Sequence, residues 1–286
     1  MKKTVTETLH DGVQLSFAVE EVLHEEATGH QRLQLIRNRR FGKVLLLDGA
    51  VQVTSADEFM YHEMMAHVPL MAHGDPADVL IIGGGDCGLA EEVLKHRRVK
   101  SLTQVEIDAS VVDFARQHFG EFNAPVFDDP RFSVEIGDGS AFARETDRRF
   151  DVVLVDSTDP AGPGAVLFTR EFYGNLKRIL KPGGIAVTQN SVPFLQKNEF
   201  VAGFGALASV FPVARPYVVA VPTYFGGFMT LGWASDSEQA LQVDQKTLEE
   251  RAAGMETRYY TPALHQAAFV LPRYIADLAE KARKGV

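Results

Sequence analysis

The sequence has almost no cysteine and no long apolar run, and these absences exclude several classes of protein. Cys87 is the only cysteine among 286 residues, so no internal disulfide can form and a reducing, cytoplasmic setting is expected. No stretch reaches the roughly 18 apolar residues typical of a bilayer span. The basic N-terminus is not followed by the apolar core of a secretory signal. We therefore expect a soluble, unexported protein with no membrane partner.

The sequence also lacks an excess of positive charge. Lys and Arg number 29 against 38 Asp and Glu, which leaves a formal net charge of −9. A negative field of this kind repels phosphate backbones and attracts cations. A nucleic-acid partner is therefore not expected, and a cationic small molecule fits better. Apolar residues make up 45% of the chain, the balance of an ordinary globular protein.

The hydrophobic pattern predicts a small β-region followed by an α/β region. Segments such as 14–19 and 31–35 alternate polar with apolar residues, which indicates half-buried antiparallel strands. A helix then begins near residue 57 and is expected to end near Pro69, and short apolar strands alternate with helices after it. We predict an N-terminal β-domain over residues 1–56. Residues 57–286 should form a Rossmann-like catalytic domain of the α/β class, with a doubly wound, mainly parallel sheet.

A glycine-rich turn follows the first strand predicted in the α/β region. Gly83, Gly85 and Gly88 have the spacing G-x-G-x-x-G between an apolar strand over residues 79–82 and a helix. Glycine suits such a turn because no Cβ keeps a ligand away from the backbone. Glu106 lies 18 residues after Gly88, at the end of the next strand, where a carboxylate can accept hydrogen bonds from both ribose hydroxyls.

Polar groups at two further positions indicate which nucleotide this turn would bind. Asp138 and Gly139 end the third predicted strand, well placed to hold an adenine amino group, so an adenosine-type ligand is expected. Asp86 lies inside the glycine turn, where a dinucleotide would place its pyrophosphate. At about 4 Å and an effective dielectric constant near 20, a contact between two unit charges is worth roughly 4 kcal/mol. The turn therefore favours a nucleoside with a cationic sulfonium.

A second pair of acidic residues follows the fourth predicted strand. Asp156 and Asp159 stand three positions apart in a loop that contains proline. A helix cap and a turn aspartate would be the ordinary structural explanation. With Asp86 and Asp138, however, these residues would place four carboxylates around one crevice, which is costly unless a cation neutralises them. The sequence therefore predicts a multiply cationic substrate.

Five segments together resemble the polyamine aminopropyltransferases, with the bacterial spermidine synthases as the nearest branch. They are residues 58–63 (EFMYHE), 83–86 (GGGD), 106–108 (EID), 156–160 (DSTDP) and 222–227 (PTYFGG). The likeness extends over essentially the whole chain. Residues 180–184 (LKPGG) are shared more widely with class I, Rossmann-type methyltransferases, so they support the fold rather than the reaction.

The resemblance implies a reaction of polyamine biosynthesis and a set of site residues. An aminopropyl group would move from decarboxylated S-adenosylmethionine, a co-substrate, to putrescine by in-line displacement, giving spermidine and methylthioadenosine with no bound cofactor or metal. Asp156 resembles the proton acceptor of the family. The implied polyamine contacts are Tyr61, His62, Asp86, Asp159 and Tyr224. The implied nucleoside contacts are Gln31, Gln52, Gly83, Gly85, Glu106, Asp138, Gly139 and Pro163.

Cys87 departs from the family pattern, which usually has glycine after the aspartate of the turn. If the position requires a positive φ, Cys87 carries a strain of about 1 kcal/mol or more. We expect the thiol to behave as a small, inert apolar group.

The sequence leaves other functions open. A methyltransferase of the same fold is opposed by Asp86 and by the pair Asp156 and Asp159, and a non-catalytic polyamine-binding protein is opposed by Asp156. A dinucleotide-dependent dehydrogenase is a third and remote alternative. The acceptor could be putrescine, cadaverine, agmatine or a longer polyamine, and the family likeness fits a homodimer as well as a homotetramer.

Overall fold

Two antiparallel sheets form the N-terminal part of the protein. The computed structural model describes residues 3–10, 12–160 and 162–285. A two-stranded sheet pairs β1 (Thr4–Glu7) with β2 (Leu15–Ala18). A four-stranded sheet has the order β3 (Glu21–Ala27), β4 (Arg32–Asn38), β5 (Gly42–Leu47) and β6 (Ala50–Thr54). The predicted antiparallel strands are confirmed, and β1 and β3 are added to them.

Helix α1 (Glu58–His73) connects these sheets to the rest of the chain. Its predicted end near Pro69 is wrong, because the helix continues to His73 and ends at Gly74, whose φ is 83°. A proline inside a helix removes one backbone hydrogen bond and strains the preceding turn. Here the residues that follow Pro69 are buried in the main core, which compensates for that cost.

The main sheet has seven strands and confirms the predicted Rossmann-like fold. Along the chain they are β7 (Asp78–Gly83), β8 (Ser101–Glu106), β9 (Phe132–Ile136), β10 (Phe150–Asp156), β11 (Leu180–Gln189), β12 (Val213–Val219) and β13 (Met229–Ser235). Their order across the sheet is β12-β13-β11-β10-β7-β8-β9, and the five strands from β7 to β11 are parallel. The chain reverses its direction of progress between β7 and β10, and a crevice opens at such a point beyond the carboxyl ends of the strands.

Helices cover both faces of this sheet. They are α2 (Gly88–Leu94), α3 (Ala109–His118), α4 (Gly120–Asn123), α5 (Gly139–Glu145), α6 (Arg170–Ile179), α7 (Lys197–Val210), α8 (Gln245–Ala252), α9 (Pro262–Ala267) and α10 (Arg273–Lys284). Strand β7 is apolar on both faces, because Val79 and Ile81 enter one core with α1 and α2 while Leu80 and Ile82 enter the other with α6 and α7. Within the described ranges, none of the helices has both the length and the apolar character that crossing a bilayer requires.

Candidate active site

A cleft of about 500 Å³ opens at the carboxyl edge of the main sheet, partly covered by the N-terminal strands. Its walls include all but one of the site residues predicted from the sequence. These are Gln31, Gln52, Tyr61, His62, Gly83, Gly85, Asp86, Glu106, Asp138, Gly139, Asp156, Asp159 and Tyr224. Pro163 belongs to a 3-10 helix, Gly162–Phe168, and its side chain falls outside the described residues.

The glycine turn brings the backbone of β7 against the end of β10. Gly83 has a φ of 85°, and a Cβ there would collide with the carbonyl oxygen of Asp156. The next N–H, that of Gly84, donates to the same oxygen at 2.9 Å. A Cβ on Gly85 would lie 2.6 Å from Val111 Cγ1, so this turn depends on glycine for its close approach to neighbouring elements.

Cys87 occupies a left-handed backbone position in this turn, with a φ of 62°. Its side chain is buried, and burial raises the pKa of the thiol to about 12. A thiol of this kind stays protonated at neutral pH and reacts slowly. This agrees with the inert role expected from the sequence, while the left-handed backbone at Cys87 carries a strain that a glycine would avoid.

Asp86 is held by the beginning of α2 and by a histidine of α1. Its Oδ1 accepts the Gly88 N–H at 2.7 Å and lies 3.6 Å from His62 Nε2. Burial raises the pKa of Asp86, and the nearby His62 opposes that rise. On the other side of the imidazole, His62 Nδ1 lies 2.9 Å from Glu58 Oε2.

Asp156, at the end of β10, lies against the aromatic wall of the cleft. Tyr61 Oη donates to Asp156 Oδ1 at 2.9 Å, and the Tyr61 and Tyr224 rings meet edge to face with centroids 5.7 Å apart. Burial raises the pKa of Asp156 to about 6, although the charge of His62 works against it. The carboxylate therefore combines a free oxygen with a basicity above that of an ordinary aspartate.

The opposite end of the cleft contains the groups expected to hold a nucleoside. Glu106 Oε1 accepts the Asp108 N–H at 3.0 Å, and burial raises the pKa of Glu106 to about 7. Asp138 Oδ1 accepts the Ser140 N–H at 2.7 Å and caps α5, which leaves its other oxygen for a ligand. Gln31 is fixed at the rim, where its Nε2 donates to Asp108 Oδ2 at 3.3 Å.

Two acidic residues of the site were missed by the sequence analysis. Glu7, at the end of β1, lines the cleft, and its Oε1 accepts the Val51 N–H at 2.6 Å. Burial and the charge of Asp159 raise the pKa of Glu7, and the hydrogen bond from the Val51 N–H partly offsets that rise. Asp57 is buried beneath the cleft and binds Thr223, the residue before Tyr224. Neither belongs to a motif, and their proximity to the site depends on the tertiary fold.

The described ranges contain no group of three or more His, Cys, Asp or Glu side chains placed to hold a metal ion.

Two family models match most of the chain. Residues 58–245 match the spermine/spermidine synthase domain, and residues 4–55 match the spermidine synthase tetramerisation domain. The chain is 50% identical over 278 residues to the polyamine aminopropyltransferase of Escherichia fergusonii, with 96% of each protein covered. It is 51% identical over 275 residues to the polyamine aminopropyltransferase of Ruegeria sp. (strain TM1040), covering 96% of this chain and 97% of the relative.

Solved structures show the same likeness. The structure of a spermidine synthase in complex with the transition state analogue AdoDATO matches with a TM-score of 0.93 and 34% identity, over 98% of this chain and 97% of the other. The spermidine synthase from Thermotoga maritima matches with a TM-score of 0.90 and 32% identity, over 98% and 96% of the two chains. The resemblance inferred from sequence motifs is thus confirmed. The chain belongs to the spermine/spermidine synthase family, whose enzymes are polyamine aminopropyltransferases.

Proposed function

We propose that the enzyme transfers an aminopropyl group from decarboxylated S-adenosylmethionine to putrescine, giving spermidine and methylthioadenosine. The observation that carries this proposal is the placement of Asp86, Asp156 and Asp159 in the same cleft as Glu106 and Asp138. Carboxylates gathered in a partly buried cleft require cations, and the sulfonium donor and the diamine acceptor supply them. The names of the relatives and the AdoDATO complex of a similar structure support the same reading.

In this proposal the nucleoside lies along the ends of β7, β8 and β9. Glu106 accepts hydrogen bonds from the ribose hydroxyls, while Asp138 and the backbone near Gly139 hold the adenine. Gln31 and Gln52 close the rim over the nucleoside, together with Pro163. Asp86 pairs with the amine of the aminopropyl group. The donor is consumed in each turnover, so it is a co-substrate and no resident cofactor is needed.

Asp156 is the proton acceptor of the proposed reaction. The lone pair of the acceptor nitrogen forms a bond to the carbon attached to the sulfonium, the carbon–sulfur bond breaks, and its electrons go to sulfur. The proton lost by nitrogen passes to Asp156. Burial raises the pKa of Asp156 from an ordinary 3.8 to about 6, which reduces the uphill cost of this transfer by roughly 3 kcal/mol. Tyr61 orients the carboxylate by donating to Oδ1.

The remaining ammonium of the diamine needs a second negative end of the cleft. Asp159 and Glu7 provide it, because both line the cleft and the charge of Asp159 is close enough to raise the pKa of Glu7. Gln189 Nε2 donates to Asp159 Oδ1 at 3.3 Å and fixes its position. The spacing between this pair and Asp156 would then select acceptors by the distance between their nitrogens.

We also propose that the enzyme assembles as a homodimer or homotetramer through its N-terminal sheets. The match of residues 4–55 to a tetramerisation domain supports this assembly.

The decisive experiment is an acceptor panel with saturating decarboxylated donor, read by product mass. Putrescine should yield spermidine and one methylthioadenosine per turnover. Asp156→Asn should lower kcat by about 10²–10⁴-fold while methylthioadenosine still binds, since only the proton acceptor is lost. Asp113→Asn, an exposed aspartate of α3, is the matched control and should retain full activity.

Two outcomes would contradict the proposal. Methyl transfer from intact S-adenosylmethionine to any acceptor would identify a methyltransferase. Tight polyamine binding without release of methylthioadenosine would identify a binding protein.

A further inference from the structure

The imidazole of His62 lies between the buried carboxylate of Glu58 and the partly buried carboxylate of Asp86. His62 Nδ1 lies 2.9 Å from Glu58 Oε2, one helical turn earlier in α1, and His62 Nε2 lies 3.6 Å from Asp86 Oδ1. The side chains of His62 and Glu58 are 3% and 5% exposed, and that of Asp86 is 14% exposed. A Cβ on Gly88 would lie 2.5 Å from the His62 ring, so the glycine lets the imidazole pack directly on the beginning of α2.

The charges around His62 all favour a doubly protonated ring. Glu58 faces it from its own helix, Asp86 from the turn after β7, and Asp156 from the end of β10. A neutral imidazole donates from only one nitrogen, so its other nitrogen would direct a lone pair at a buried carboxylate. Burial alone would lower the pKa of His62, but Asp86, Glu58 and Asp156 outweigh it and raise the pKa to about 10.

The groups that lie farther from the imidazole do not reverse this preference for the protonated ring. Tyr61 donates its hydroxyl to Asp156, and the Phe122 ring lies 6.4 Å from the imidazole without adding charge. Arg258 approaches Glu58 Oε1 at 3.9 Å, but its side chain is 62% exposed and its charge is therefore screened by water.

We propose that Glu58 is a positioning residue for the transfer reaction, because it accepts the Nδ1–H of His62 and keeps the ring a cation whose Nε2–H faces Asp86. Asp86 then stays ionised and aimed at the amine of the donor. A cationic His62 has no lone pair for a polyamine ammonium, so it acts through Asp86 rather than by accepting a hydrogen bond. The inference rests on the proposed function, since it assigns Asp86 to the donor amine.

The first test is the protonation state of His62 in the substrate-free enzyme. Imidazole nitrogen shifts measured by NMR, with His62 assigned by its loss in His62→Gln, should show both nitrogens protonated at pH 8. In Glu58→Gln the side chain keeps its shape but loses its charge, and the His62 titration should move down by at least about one pH unit. A neutral His62 ring in the wild-type enzyme at pH 8 would overturn the proposal even if the variant failed to fold.

The second test is the pH profile of kcat/KM for decarboxylated S-adenosylmethionine. Glu58→Gln should gain an alkaline decline that the wild type lacks below pH 9, with a KM for the donor raised at least about twofold at pH 9 and little changed at pH 6. Glu58→Asp restores the charge and should remove that decline. Glu250→Gln, an exposed residue of α8, is the matched control.

These outcomes separate the two proposals. A folded Glu58→Gln variant with the wild-type pH profile would contradict the role of Glu58 and leave the proposed reaction intact. If the wild-type enzyme forms neither an aminopropylated product nor methylthioadenosine with any acceptor of the panel, the proposed reaction fails, and the role of Glu58 in that reaction fails with it whatever the state of His62.

Discussion

Asp86 is the residue expected to discriminate between intact S-adenosylmethionine and its decarboxylated form. Its buried carboxylate would attract the donor's amine and repel the carboxylate that intact S-adenosylmethionine retains. Asp86→Asn should therefore reduce discrimination between the two donors by tenfold or more, measured as the inhibition constant of intact S-adenosylmethionine against the decarboxylated substrate. An unchanged inhibition constant in the variant would show that Asp86 does not select the donor. Asp113→Asn again provides the exposed control.

Cys87 allows a direct measurement of backbone strain in the glycine turn. Cys87→Ala and Cys87→Gly both remove the buried sulfur, but only glycine accepts a φ of 62° without strain. Relief of about 1–2 kcal/mol, less about 0.5–1 kcal/mol for the greater freedom of glycine in the unfolded chain, should leave the glycine variant more stable by roughly 0.5–1 kcal/mol. Urea denaturation of the pair measures this difference, and an alanine variant at least as stable as the glycine variant would contradict it.

At the scale of secondary structure, the parallel strands were predictable because their cores are short apolar runs. The same runs located the cleft, since Gly83, Glu106 and Asp156 lie where β7, β8 and β10 end. The end of α1 was mispredicted because local propensity opposes a proline inside a helix, whereas burial of the following turn outweighs it. Glu7 was missed because a charged residue in a short strand gives no sign that the hairpin folds over the cleft.

Asp57 connects three elements beneath the cleft. Its Oδ1 accepts the Thr54 hydroxyl at the end of β6, and its Oδ2 accepts both the N–H and the hydroxyl of Thr223. The loop fixed in this way carries Tyr224, whose hydroxyl donates to the Gln52 carbonyl oxygen at 2.7 Å. The position of the aromatic wall therefore depends on a carboxylate at the beginning of α1.

Replacing Asp57 should weaken the contacts that hold Tyr224 in the aromatic wall of the cleft. Asp57→Asn offers one acceptor oxygen where the carboxylate uses two, which should lower the free energy of unfolding by about 1–3 kcal/mol. We expect the KM for putrescine to rise more than the KM for the donor, if Tyr224 contacts the acceptor as the family resemblance implies. Asp244→Asn is a suitable control, since Asp244 caps the exposed α8 and asparagine caps helices equally well. A rise in the KM for the donor alone would contradict this role.

At the scale of the whole molecule, ionisation of the cleft carboxylates lowers the free energy of unfolding of the substrate-free enzyme. Burial raises the pKa of Asp156 to about 6 and that of Glu106 to about 7, above the values of both groups in an unfolded chain. A folded-state pKa above the unfolded value means that the contribution to stability is present below about pH 4 and is lost as pH rises through 6 to 7. A cationic ligand would restore what ionisation removes.

Substitution of these two residues should therefore stabilise the substrate-free protein while impairing the reaction. Asp156→Asn and Glu106→Gln should each raise the free energy of unfolding at pH 8 by about 2 kcal/mol, with a smaller gain at pH 5, where the wild-type groups are largely protonated. Urea denaturation at the two pH values measures both gains. The same two ionisations should make kcat/KM of the wild type fall as pH drops from 7 to 6.

Asp151 provides a control, because its replacement should change the free energy of unfolding in the opposite direction. Despite its burial, the N–H groups of Asp78 and Ala77 and the ammonium of Lys181 hold the pKa of Asp151 below its usual value, so its charge stabilises the fold above about pH 4. Asp151→Asn should destabilise the protein at pH 8, whereas the two cleft substitutions stabilise it. If all three substitutions destabilised the protein equally, the cleft carboxylates would be as well compensated as Asp151, and the electrostatic demand for a cationic substrate would disappear. Opposite signs would instead show that Asp156 and Glu106 carry negative charge that the fold itself does not compensate.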